Sequence, residues 1–268
     1  MYPILFRLNG FAIYAYGSFL VLGFVVCVIL AIVRVRKEAP SISLERLADL
    51  FFYSLVSALI GSRILFVLIN LDLYREAPLR IFKIWEGGLV FYGGFILAAV
   101  VSIGYMRWHR LPCLKLFDLF SPLLALGLFF GRIGCYLAGC CYGNETSLPW
   151  GVIFTNPNSL ARLNVPLHPT QLYDTANGLA IFLFLLWKEK RKNFDGQILF
   201  LFLLLYSVTR FLIEMLRGDP RGFVVRDLIS TSQGIGILLA ILSLFMLFFL
   251  GRKIDNPPSS PFTKGGIV

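Results

Sequence analysis

Charge is what this sequence has least of. Acidic and basic residues make up 15% of its 268 residues, against about 25% in ordinary soluble domains, so there is too little polar surface to cover a soluble globule. The five cysteines are too few for a disulfide scaffold in a chain this long. Internal repeats are missing, and so is a continuous basic face. The formal net charge of +10 is dispersed in short segments between apolar runs, which excludes a soluble nucleic-acid-binding protein and leaves no nucleic acid among the expected partners.

What is abundant fits a bilayer. The chain is 57% hydrophobic, with 24 Gly and 26 Phe, small and aromatic residues that suit helices packed against each other and against lipid. A hydrocarbon core of about 30 Å needs roughly 20 apolar residues per helix. On that criterion the expected fold class is an all-α polytopic membrane protein of about seven spans. These are Phe11 to Val33, Leu47 to Leu71, Gly88 to Met106, Leu116 to Leu137, Leu172 to Trp187, Gln197 to Leu216 and Leu228 to Leu250.

Basic residues gather after spans one (Arg34, Arg36, Lys37), three (Arg107, Arg110), five (Lys188, Lys190, Arg191, Lys192) and seven (Arg252, Lys253). Cytoplasmic loops carry such clusters, so the N-terminus is expected outside and the C-terminus inside. The first run is read as a retained span rather than a signal peptide, because its positive cluster follows it. Residues 1–255 are expected to form one transmembrane domain with an extracytoplasmic cap at 138–171. The Pro-, Ser- and Gly-rich residues 256–268 are expected to be a disordered cytoplasmic tail.

Ionisable groups at membrane depth are costly and usually functional. Arg63, Arg132 and Arg210 lie within spans, and three guanidiniums against few buried carboxylates predict unmatched positive charge and an anionic ligand, phosphate above all. Tyr206, Arg210 and Glu214 are spaced i, i+4, i+8 and share one helical face. An Arg210–Glu214 pair that merely joins helices is the plainer alternative.

The stretch WEGGLVFYGGF at 85–95 places Tyr92 between glycine pairs, with Gly93 and Gly94 able to hold an oxyanion on their N–H groups or simply to pack helices tightly. Trp85 and Glu86 fit an interfacial anchor. In LHPTQLYD at 167–174, His168 is the one histidine on the outer side, with Pro169 at a helix start and Asp174 just inside; His109 lies among basic residues on the other side. In GRIGCYLAGCCYGNE at 131–145, Cys135, Cys140 and Cys141 match no familiar zinc spacing, so no metal is expected. A Cys135 link to Cys140 or Cys141 and plain packing of small thiols both remain open.

WEGGLVFYGGF, GRIGCYLAGCCYG, HPTQLYD and YSVTRFLIEMLR, in this order and on these spans, resemble the bacterial prolipoprotein diacylglyceryl transferases. The likeness runs from Tyr16-Gly17 to Ser232-Gln233-Gly234. It implies a seven-span inner-membrane enzyme that moves a diacylglyceryl group from phosphatidylglycerol to the lipobox cysteine of a prolipoprotein, forming a thioether and releasing glycerol phosphate without a cofactor. Matching motif positions imply catalytic roles for Arg132, Arg210, Glu214, Tyr92 and His168. Substrate contacts are implied for Arg132, Arg210, Tyr206, Arg63, Gly93, Gly94 and Tyr16.

The sequence departs from the family pattern in three places. Tyr92 stands where the family's GG-x-x-F-H-GG has histidine, and Cys135 and Cys140 stand where its GR-x-G-N…GE stretch has Asn and Glu. Tyrosine, with a reference pKa near 10, is a poor base at neutral pH. The acceptor thiol is therefore expected to lose its proton to Glu214 or His168, or in the field of the arginines. Two other functions compete: a diverged relative with a changed acceptor or a thiol-redox role, and a transporter of an anionic lipid.

Overall fold

The computed structural model describes residues 1–8, 11–75, 78–83, 87–219, 222–225 and 229–255. The expectations for Trp85, Glu86 and the tail at 256–268 lie outside them. The elements run in the order β1 (Ile4–Leu8), β2 (Phe11–Tyr14), α1 (Ala15–Glu38), α2 (Leu44–Ile69), α3 (Leu71–Arg75), a 3₁₀ turn (Pro78–Phe82), α4 (Phe91–Trp108), α5 (Cys113–Ala138), β3 (Val152–Ile153), β4 (Pro166–Leu167), α6 (Thr170–Glu189), α7 (Gln197–Glu214), β5 (Phe223–Val225), β6 (Ile229–Ser230) and α8 (Thr231–Asp255). Among the described residues α1, α2, α4, α5, α7 and α8 are long and apolar enough to cross a membrane, so the chain is a polytopic helical membrane protein.

The start of the first apolar run corrects the sequence expectation. Residues Phe11–Tyr14 are not helical but pair antiparallel with β1, Arg7 opposite Ala12 and Phe6 opposite Ile13. Aromatic and β-branched residues on either side of an Asn-Gly pair in the sequence ILFRLNGFAIY favour a hairpin over a helix, and hydropathy alone hides that signal.

The chain divides into two compact units, Ile32–Leu116 and the rest. Within Ile32–Leu116, α2 and α4 are joined by glycines. A Cβ on Gly61 would run into the Gly93 carbonyl, one on Gly93 into the Gly61 carbonyl and the Leu65 side chain, and one on Gly94 would lie 2.7 Å from the Ala58 carbonyl oxygen. Small residues on both helices let the backbones touch, the usual basis of association in lipid. Gly93→Ala is expected to cost about 1–3 kcal/mol by overpacking, read as a lowered melting temperature in detergent.

In the other unit, α5, α6 and α7 share a core of Ala125, Ile181, Leu185, Ile198 and Phe202. Gly178 of α6 lies against the backbone of Ala125 and Phe129. The start of α7 is fixed from outside the helix. Its N-cap, Gly196, has φ 98° and no side chain to offer, and the carboxylate of Asp118, wholly buried on α5, accepts from the N–H groups of Gly196, Ile198 and Leu199 at 2.8, 3.0 and 3.0 Å. Lys192 Nζ donates to the same carboxylate at 3.2 Å. A carboxylate at a helix N-terminus satisfies orphan donors and complements the helix dipole. Asp118→Ala leaves those donors buried without an acceptor and is expected to destabilise by about 2–4 kcal/mol; Asp118→Asn recovers part of the loss in the same melting experiment.

A small folded lobe spans residues 139–169. There β3 pairs with β4, and Tyr142, Phe154, Ala161 and Leu167 form its core with Met1, Val152 and Val165 packed alongside. Its strands lead directly into α6, which starts at Thr170.

Candidate active site

Asp174 is the centre of the polar cluster in the α5–α7 unit. It sits one turn into α6, with 6% of its side chain exposed, and its Oδ2 receives Arg132 Nη1 of α5 at 3.1 Å and Arg210 Nη1 of α7 at 3.4 Å. At Arg132 and Arg210 the expected unmatched positive charge is therefore not found, since each has a carboxylate. Sequence reading missed Asp174 as a partner because the two arginines lie 42 and 36 residues away from it in sequence, and nothing local links them.

Arg210 makes a second ion pair. Its Nη2 lies 2.6 Å from Glu214 Oε2, one helical turn on, as the shared face predicted. Glu214, with 2% of its side chain exposed, is also 3.7 Å from Arg217 Nη1 and accepts from the hydroxyls of Ser230 and Ser232 at 2.9 and 2.6 Å. Arg217 in turn holds Asp219 through two bonds of 2.8 and 2.6 Å.

The serines are delivered by the start of α8. Ser230 Oγ accepts from Gln233 N–H at 3.2 Å, and Gln233 Oε1 accepts from Ser230 N–H at 3.0 Å. This reciprocal cap fixes where the helix begins and turns both hydroxyls to Glu214. The Ser-x-x-Gln spacing just before an apolar run is legible in the sequence, whereas its target is not.

His168 leads into α6. Its backbone bonds to Asn144 and Gly143, its carbonyl accepting from Gly143 N–H at 3.0 Å and its N–H donating to Asn144 at 2.9 Å. A Cβ on Gly143 would lie 2.7 Å from the His168 carbonyl and 2.8 Å from that of Leu216, so only glycine fits between the two segments. The His168 ring meets the Tyr173 hydroxyl through Nδ1 at 3.3 Å, and Trp150 Nε1 donates to the same hydroxyl at 2.8 Å. Tyr206 stacks on Phe202 and lies within electrostatic reach of Arg132, as does Tyr16 at the start of α1.

The remaining residues singled out in the sequence belong to the Ile32–Leu116 unit. Arg63 Nε, Nη1 and Nη2 all donate to backbone carbonyls, those of Ile81 (2.8 Å), Gly87 (2.6 Å), Gly88 (3.2 Å), Arg80 (2.7 Å) and Lys83 (3.2 Å). The guanidinium also rests on the rings of Phe66 and Tyr74 at 5.8 and 5.6 Å. Its geometry is that of an anchor for the segment before α4. Gly87 and Gly88, at φ 84° and 76°, adopt the left-handed backbone that presents both carbonyls to it. Tyr92 is in the first turn of α4, edge-to-face with Phe91.

Comparison with known proteins gives this arrangement its context. A family model described as prolipoprotein diacylglyceryl transferase matches residues 3–249. The chain belongs to the prolipoprotein diacylglyceryl transferase family. Similar proteins include a phosphatidylglycerol–prolipoprotein diacylglyceryl transferase of Clostridium tetani, 37% identical over 92% of this chain and 96% of the relative. One from Clostridium perfringens, numbered 2 in its name, is 37% identical over 89% and 91%, and one from Bordetella parapertussis is 32% identical over 96% and 97%.

Of the residues that resemblance to these transferases singled out, the fold brings Arg132, Arg210 and Glu214 into one ion-paired cluster around Asp174, with Tyr206 and Tyr16 within electrostatic reach of Arg132. Asp174, Arg217, Ser230 and Ser232 join this cluster without having been foreseen.

Proposed function

We propose that this chain transfers the diacylglyceryl group of phosphatidylglycerol to the cysteine thiol of a prolipoprotein lipobox, forming a thioether and releasing glycerol phosphate. The observation that carries this reading is the convergence of Arg132 and Arg210 on one oxygen of Asp174. Two guanidiniums held by a single carboxylate oxygen are spaced to take two oxygens of a phosphodiester. Arg132 meets Asp174 through Nη1, and its Nε and Nη2 are the donors it would turn to phosphate.

The thiol sulfur attacks the glyceryl carbon next to the phosphate, the carbon–oxygen bond breaks, and its electron pair stays on the phosphate oxygen. Charge develops there, and preorganised guanidiniums stabilise it most strongly in the transition state. The thiol proton leaves with the glycerol phosphate. Glu214 is already engaged, accepting from the Ser230 and Ser232 hydroxyls and ion-paired to Arg210 and Arg217, so it is a poor candidate to take that proton first. The guanidiniums favour the thiolate electrostatically, and the departing phosphate oxygen takes up the proton.

The same reading places seven spans in the bacterial inner membrane with the active site toward the outer face. α6 counts as the additional span: its 20 residues reach roughly 30 Å. Its polar residues Thr170, Gln171 and Asp174 are buried on the face that continues through Gly178, Ile181 and Leu185, while Leu172, Leu183, Phe184 and Trp187 are exposed. A helix that turns its polar half to protein can sit in lipid despite modest mean hydropathy.

The deciding experiment is mass-spectrometric detection of diacylglyceryl transfer from phosphatidylglycerol to a lipobox peptide by the purified protein. Failure of a folded preparation to transfer would refute the activity. In the same assay Tyr92→Phe is expected to keep the rate within about tenfold of wild type and His168→Ala likewise, since general acid–base catalysis by either would be worth about 10²–10⁴-fold.

A further inference from the structure

Cys135, Cys140 and Cys141 have no part in the proposed transfer, yet their three sulfurs lie within 4.8 Å of one another. The backbone is built to bring them together. Cys135 is buried in the last turn of α5. Gly139, at φ 78°, ends the helix by donating its N–H to the Cys135 carbonyl at 2.9 Å, an αL cap that reverses the chain. Cys140 returns over Cys135, its Sγ 3.8 Å from the Cys135 carbonyl oxygen. Cys141 is at φ 59°, a conformation that costs a residue with a Cβ roughly 1–2 kcal/mol.

That strained loop is held from α6. Gln171 Nε2 donates to the Cys140 carbonyl at 2.8 Å and Thr170 Oγ1 to the Cys141 carbonyl at 2.7 Å, and both side chains belong to residues that are fully buried. The thiols are thus fixed by a rigid frame before any ligand arrives, which is the condition for a tight site.

We propose that Cys135, Cys140 and Cys141 form a trithiolate site for a soft d10 cation, Cu(I), in trigonal coordination. Thiolate sulfur prefers such ions to hard cations. Sulfurs bound at about 2.3 Å from one ion stand roughly 3.8–4.0 Å apart, so the cluster needs to contract by at most about 1 Å. Structural zinc takes four protein donors, and among the described residues this group of His, Cys and carboxylate ligands contains three. Binding exchanges three thiol protons, released to solvent, for one monovalent ion and leaves two negative charges. Arg132 and Arg217 lie within electrostatic reach of Cys141 and offset part of that charge. The site stands whether or not the chain is an active transferase.

The test uses the full chain in detergent, reduced and freed of metal under argon, titrated with Cu(I) against a chromophoric Cu(I) chelator. One equivalent per chain is expected, with three sulfur neighbours by X-ray absorption. Cys135→Ser, Cys140→Ser and Cys141→Ser should each weaken binding at least about 100-fold, while Cys27→Ser and Cys113→Ser leave it unchanged. No uptake by the wild-type protein, or uptake indifferent to the three serine variants, overturns the proposal. Displacement of Cu(I) by an equal concentration of Zn(II) overturns the trigonal assignment. If a serine variant does not fold, the wild-type stoichiometry and sulfur count decide.

Discussion

Replacing Arg132 or Arg210 by alanine is expected to abolish detectable transfer from phosphatidylglycerol, a loss of at least about 10²–10³-fold in kcat for each. The two variants should nevertheless differ in stability. Among the described residues Asp174 is the carboxylate partner of Arg132, and removing Arg132 leaves that carboxylate with Arg210. Arg210 bridges Asp174 and Glu214, so Arg210→Ala withdraws a cation from two buried carboxylates at once and should melt lower than Arg132→Ala. Lysine at either position restores charge without the planar fork, and is expected to recover lipid binding more than rate. The double alanine variant should be scarcely slower than either single one, because groups that clamp one phosphate act as a unit. Independent, multiplicative losses would sink the idea of a shared clamp.

The two levels of the structure were not equally legible in the sequence. Hydropathy and the positions of basic residues located helices such as α2, α5 and α7 to within a few residues, because span length is set by the bilayer. The same hydropathy swallowed β2, since Phe11–Tyr14 is as apolar as the helix it precedes. Spacing also gave the Arg210–Glu214 pair, a local i, i+4 relation. It could not give Asp174, Ser230 or Ser232 as partners, because their meeting depends on how α5, α6, α7 and the start of α8 pack. Arg63 shows the converse. A buried arginine in a span invites a ligand, but the left-handed glycines at 87 and 88 turn backbone carbonyls onto it, and carbonyls leave no charge signature in a sequence.

Asp174 is where the sequence expectation of surplus positive charge fails for Arg132 and Arg210, and neutralising it should have large effects. Asp174→Asn keeps the shape of the side chain and removes its charge, leaving Arg132 and Arg210 buried beside each other without a shared anion. Stripping one partner from a buried ion pair costs about 3–5 kcal/mol, so the delipidated variant should show a markedly lower melting temperature than wild type. Phosphatidylglycerol should then stabilise the variant more than the wild type, because the lipid phosphate can occupy the place of the missing carboxylate. Saturation at about 100 times Kd is worth about 2.7 kcal/mol. In turnover, KM for the lipid should fall, since no carboxylate competes for the guanidiniums, while kcat falls as well. An anion held as tightly in the ground state as in the transition state gains nothing in rate. The opposite pattern, a raised KM with unchanged kcat and no extra stabilisation by anionic lipid, would mean that Asp174 only braces α6 against α5 and α7. A neutral lipid of the same acyl chains provides the control, for it lacks the phosphate charge on which the argument turns.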